Sequence, residues 1–162
     1  MKKRVFLCSI LGLSVLLILF LTCQSVKGTA NLTNSALQFV ISFAEKFGMS
    51  REEIVTKWWA NAGFIRKLAH IPEYFILGVI SCFVLRFLKI KNYVVKSFVF
   101  CLGISIADQV IKGILPSREF DITDLPMDFF GYALGIISTL LIIRIYKHLL
   151  NSRNKKKDGG IE

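Results

Sequence analysis

His70 and Glu73, then Asp108, then Asp124 and Asp128 are the residues of this chain whose types and spacing can do chemistry. An imidazole and four carboxylates can accept or hand on protons. The same donors can hold a hard divalent cation. Their setting makes them informative, because they interrupt or introduce three of four apolar runs, roughly 5–22, 71–88, 97–115 and 129–146. Each run is about long enough to cross a bilayer, which takes ~20 predominantly apolar residues. Charge near the centre of a spanning helix costs at least ~2.5 kcal/mol, so a charge retained there points to function.

Helical spacing gathers these residues. His70 and Glu73 are i, i+3 on one face, with Arg66 one turn before His70. Asp108 lies eight residues before Pro116, which puts it ~12 Å from that end of its run at 1.5 Å per residue. Asp124 and Asp128 are i, i+4, and Gly131 and Gly135 continue as a GxxxG face that lets a neighbouring helix approach closely. If the three runs pack as one bundle, all five groups fall in the same half of it, with Arg66, Lys67 and Arg118 at the mouth.

The elements that must position them follow from composition. The chain has 162 residues, 54% of them hydrophobic, and a mean hydropathy of +0.57. That, with the apolar residues in long blocks, defines an all-α integral membrane protein of four transmembrane helices. The formal charge of +10 does not indicate a nucleic-acid partner, because the basic residues flank the apolar runs as membrane-anchoring charges do. With the N-terminus cytoplasmic, the inner side carries 13 of the 21 basic residues and the outer side nine of the 11 acids. The positive-inside rule therefore places both termini in the cytoplasm of a multi-pass cell-membrane protein. Lys2-Lys3-Arg4 before the first run resembles the start of a signal peptide, but the run is longer than the usual ~7–15-residue core, and it reads as an uncleaved span. Cys8, Cys23, Cys82 and Cys101 have no metal-site spacing and read as small apolar packing residues.

Four segments result: a first span with a basic N-terminus (1–24), an outer amphipathic segment (25–69), a core of three spans (70–146) and a basic cytoplasmic tail (147–162) whose end from Asn151 reads as disordered. Within the outer segment, Ala36, Leu37, Val40, Phe43, Ala44 and Phe47 recur at helical spacing, and Gly48 stops the pattern. Such a helix suits the outer membrane interface. Ser50-Arg51-Glu52-Glu53 is a capping box opening another helix, which carries Trp58 and Trp59, residues that favour the headgroup level. Tyr74, Phe129 and Tyr132 read as core or interface aromatics, and His148 as a solvated residue at the basic end.

Arg66-Lys67-x-Ala69-His70-x-x-Glu73-Tyr74-x-x-Leu77-Gly78 resembles the first motif of the VanZ-like membrane proteins. Asp108, Pro116-x-Arg118 and Asp124-x-x-x-Asp128-x-x-Gly131-x-x-x-Gly135 resemble the second. The likeness covers about residues 60 to 140. Two positions depart from it: Gln109 and Lys112 stand where the family usually has a glutamate and a glutamine. The family is named for a member linked to resistance to teicoplanin, a lipid-tailed glycopeptide. The resemblance therefore implies a cell-envelope protein that lowers susceptibility to such antibiotics, through a polar site at the outer leaflet.

Three uses of the cluster stay open on the residues alone. In a binder, Arg66, Lys67 and Arg118 grip a lipid-tailed, partly anionic antibiotic. In a metal-dependent membrane enzyme, a divalent cation on His70, Glu73, Asp108 or Asp128 and a general acid or base act on a lipid-linked phosphate or cell-wall precursor. In a scaffold, Arg118 pairs with Asp124, and Arg66 with Glu73 or Asp128, to lock three helices. Five acidic or imidazole groups exceed what three bases need, which disfavours scaffolding alone.

Overall fold

The computed structural model describes residues 2–23, 26–57, 60–115 and 121–158, and all regular structure among them is helical. The elements are α1 (Lys2–Cys23), α2 (Val26–Lys46), α3 (Arg51–Val55), α4 (Ala62–Phe87), α5 (Tyr93–Ile114) and α6 (Asp124–Asp158). Four of them, α1, α4, α5 and α6, are long and apolar enough to span a membrane. The chain is thus an all-α membrane protein with four spanning helices and a helical insert between the first and second. A helix satisfies its own backbone groups where no water can reach, which is why apolar runs of this length take that form. Leu13, Phe20, Val99, Ile106 and Leu141 are exposed on the outside of the bundle, an arrangement suited to lipid tails.

The boundaries differ from the sequence expectation in two places. The second span begins at Ala62 rather than Ile71, with Asn61 as its N-cap accepting from the Gly63 amide at 2.8 Å. A division at residue 70 therefore cuts through α4, and His70 and Glu73 lie within the span. Pro72 sits inside this helix; a spanning helix tolerates proline where neighbouring helices cover the freed backbone. The second difference is α6. Its 35 residues extend over ~52 Å at 1.5 Å per residue, against a hydrocarbon core ~30 Å thick. The segment from Asn151 expected to be disordered is helical as far as Asp158, while 159–162 lie outside the described residues.

The insert is helical over a longer stretch than its periodicity marks. α2 starts at Val26 and ends before Gly48, whose φ of +87° suits a residue without a side chain. The capping box forms: the Glu53 amide donates to Ser50 Oγ at 3.3 Å, and the Ser50 amide donates to Glu53 Oε2 at 3.4 Å. Trp58 and Trp59 lie outside the described residues. α2 packs on α4 and buries Ile41, with Leu37, Val40 and Ala44 half-buried beside it. Phe39, Phe43 and Phe47 stay exposed along a second stripe.

The core joins Tyr74, Leu77 and Cys82 of α4, Cys101 of α5, Tyr132 and Ile136 of α6, and Ile18 of α1. Cys82 and Cys101 are buried there, whereas Cys8 and Cys23 are exposed on α1. The most extensive contact is between α4 and α6. Glycines make it possible. A Cβ on Gly131 would stand 2.6 Å from the Ile71 carbonyl oxygen, and Gly135 and Gly78 press as hard against the Phe75 and Tyr132 carbonyls. The GxxxG face of α6 is thus used for the close helix approach that its spacing implies, and Gly78 answers it from α4.

Candidate functional site

Four helix ends meet at one end of the bundle and carry the polar groups there. His70 lies eight residues into α4 and Asp108 six residues before the end of α5, or ~12 and ~9 Å along the axes. Asp124 opens α6, where a carboxylate also meets the positive end of the helix dipole, and Asp128 follows one turn later. Lys112 occupies the last turn of α5, where a cation is favoured. Thr22, near the end of α1, completes the ring.

The cluster is nearly sealed. Asp128 is fully buried, Asp108 is 2% exposed, and Gln109, Lys112 and Asp124 are also buried. His70 touches two acids, with Nδ1 3.0 Å from Asp128 Oδ1 and Nε2 3.4 Å from Asp124 Oδ2. A neutral imidazole carries a single N–H, so both approaches are favourable polar contacts when the ring holds two protons, or when one of the two carboxyls is protonated and donates to it. Lys112 Nζ bridges Asp108 Oδ2 at 2.8 Å and Asp124 Oδ2 at 3.1 Å. The far oxygens of the two deepest acids are fixed by hydroxyls: Ser105 donates to Asp128 Oδ2 at 2.6 Å, and Thr22 donates to Asp108 Oδ1. Gln109 Nε2 is 3.4 Å from Asp124 Oδ2. Glu73 is half-buried on α4 and makes no ion pair among the described residues.

Three acids and a histidine therefore converge as the spacing implies, and one of the expected basic residues does so only at the rim. Lys67 binds Asp121 Oδ2 at 3.0 Å and donates to Thr123, tying α4 to the connection before α6. The Thr123 hydroxyl and amide, and then Lys67, hold the Asp121 carboxyl down to about 2. Arg66 is exposed and makes no ion pair among the described residues, so the expected pairing of Arg66 with Glu73 or Asp128 does not form. Arg118 and Pro116 lie outside the described residues. The buried base that meets Asp124 is Lys112. In the sequence Lys112 stands out only as a departure from a family pattern, although it lies one helical turn after Asp108 and shares its face. Ser105, one turn before Asp108, and Thr22 give no signal in the sequence, because lone hydroxyls in apolar runs carry no distinctive spacing.

The arrangement can store and exchange protons among adjoining carboxylates, and it can hold a cation. One ligand atom from each of His70, Asp108 and Asp128 lies within 4.8 Å of the other two. Glu73 is not part of that trio.

Fold and site together define a four-span membrane protein with an acidic, histidine-bearing cluster sealed at one end of its bundle. The chain belongs to the VanZ/LLP1 family, whose model matches residues 6–144. Neither a curated protein nor a solved structure matches it significantly.

Proposed function

We propose that this protein acts in the cell envelope to lower susceptibility to lipid-tailed glycopeptide antibiotics, with the cluster around His70, Asp108, Asp124 and Asp128 as its working site. The family supports a VanZ-like role. The observation that carries the reading to this site is charge imbalance under burial. Asp108, Asp124 and Asp128 are buried with one lysine and one histidine among the described residues. Buried charge of this kind is costly, and a helix lock alone needs less of it. In this reading both chain ends lie in the cytoplasm, and the cluster lies toward the outer leaflet. Exposed Arg66 then meets anionic or polar headgroups, while the apolar flanks accommodate a lipid tail. The cluster, Arg66 and Lys67 would bind such a compound or keep it from its target at the surface.

The test separates a working site from a scaffold. Asp128→Asn and Ser105→Ala variants are expressed in a host lacking the native protein, and both membrane abundance and teicoplanin susceptibility are scored. Normal abundance with lost protection is the expected result. Lost abundance in both variants, or normal protection in both, refutes the role of the cluster.

A second reading is favoured by the trio of ligand-type atoms from His70, Asp108 and Asp128. It is a membrane enzyme acting on a lipid-linked phosphate or cell-wall precursor. Release of phosphate or a modified lipid by purified protein, abolished in Asp128→Asn, would distinguish it from the binder.

A further inference from the structure

The two deepest acids and the histidine share a pattern. Each has one polar atom held by an outer partner and a second, buried atom that faces a charged neighbour inside the cluster. On Asp108 the Oδ1 atom accepts from Thr22, while buried Oδ2 meets Lys112 Nζ at 2.8 Å. On Asp128 the Oδ2 atom accepts from Ser105, while buried Oδ1 faces His70 Nδ1 at 3.0 Å. On His70 the Nε2 atom faces Asp124 at 3.4 Å, while Nδ1 faces Asp128 Oδ1 at 3.0 Å. The three inward atoms come from α4, α5 and α6, the same residues whose ligand atoms lie within 4.8 Å of one another. Metal-binding histidines commonly give their other ring nitrogen to a carboxylate, and metal-binding carboxylates are themselves hydrogen-bonded on the outside. Asp124, Ser105 and Thr22 supply that outer ring.

We propose that His70 Nδ1, Asp108 Oδ2 and Asp128 Oδ1 form a three-ligand site for a divalent first-row transition-metal cation, and that Lys112 is the internal counter-ion which the metal displaces. One imidazole and two carboxylates suit Zn²⁺ or Mn²⁺ better than Ca²⁺, which wants six to eight oxygens. Three protein ligands leave further coordination positions for water or an anionic oxygen. The ammonium of Lys112 stands 2.8 Å from Asp108 Oδ2, where it offsets the same charge. Because Nζ is also 3.1 Å from Asp124 Oδ2, it can keep that partner when it gives up Asp108. His70 would then carry its proton on Nε2 toward Asp124 and offer Nδ1 to the metal. The proposal concerns the same cluster as the function above but stands without it, since metal binding is read with no antibiotic present.

The test uses the purified full-length protein in mild detergent. It is equilibrated with Zn²⁺ or, separately, Mn²⁺, passed through a desalting column, and assayed for metal per chain and for the unfolding midpoint. About one ion per chain and a raised midpoint are expected, the latter because a ligand that binds only the folded state stabilises it. Asp128→Asn and His70→Gln lose the ion. Lys112→Gln binds it more tightly in competition with a chelating dye, by about tenfold or more, the scale on which partners of the ligand shell act. That gain cannot arise from misfolding, so it decides the matter if the loss variants fail to fold. A wild-type protein that stays metal-free overturns the proposal, as does binding unchanged in both Asp128→Asn and His70→Gln. Affinity in Lys112→Gln equal to or below wild type overturns the counter-ion role.

Discussion

At the scale of single residues, Lys112 has the largest consequence for stability. It is the only buried lysine among the described residues, and two buried carboxylates depend on it. Removing one partner of a buried pair leaves uncompensated charge and typically costs ~3–5 kcal/mol. Lys112→Met should therefore lower the unfolding midpoint sharply in chelator-containing buffer, as read by a thermal melt in detergent. Asp121 shows the opposite case. It is 30% exposed, as is Lys67, so their pair is screened by solvent and contributes no more than ~1 kcal/mol. Its carboxyl is held down to about 2, chiefly by Thr123. Whatever stability it lends is complete above the ordinary aspartate value, ~3.9, and fades as pH falls toward 2. Asp121→Asn should accordingly leave the midpoint near neutral pH within a few degrees of wild type. It should also flatten the midpoint's decline below pH 4.

At the scale of elements, the contact between α4 and α6 is the most sensitive to side-chain size. Gly131 and Gly135 meet backbone carbonyls of α4, and backbone cannot move aside as a flexible side chain can. Overpacking usually costs ~1–3 kcal/mol. Gly135→Val should exceed that range and show as lost monodispersity in size-exclusion chromatography, while Gly103→Val, which meets nothing within 4 Å, should not. Much of this layer was legible in the sequence. The apolar runs located all four spans, and the i, i+4 spacing of Gly131 and Gly135 marked the face α6 presents. Asp128 precedes that face by three residues and lies in the same interface. Less legible were the start of α4 and the continuation of α6. Residues 62–70 mix Arg66, Lys67 and His70 into an apolar stretch, which masks the helix from hydropathy alone. The Lys-rich end of α6 has the composition of a tail although its backbone is helical. The role of Lys112 is hidden in the sequence for a physical reason: a lysine near a predicted span end reads as membrane-flanking, and only the packed bundle turns it inward.

For the whole molecule, the measurable question is orientation. In a cysteine-free background, a single cysteine at exposed position 66 should react with a membrane-impermeant maleimide in intact cells. One at exposed position 91 should react only after lysis. The reverse pattern would put the acidic cluster on the cytoplasmic side and exclude direct contact with an extracellular antibiotic. The glycine seam also sets how the molecule can rearrange. His70, Asp124 and Asp128 ride on two helices fastened backbone to backbone, so they travel as a single rigid half. Asp108, Gln109 and Lys112 ride on α5, which grips that half less extensively, and Thr22 of α1 holds Asp108 from outside. An ion or a guest that enters by parting helices would pass beside α5 or α1 rather than through the α4–α6 seam, so a crosslink joining α4 to α6 should leave uptake unchanged.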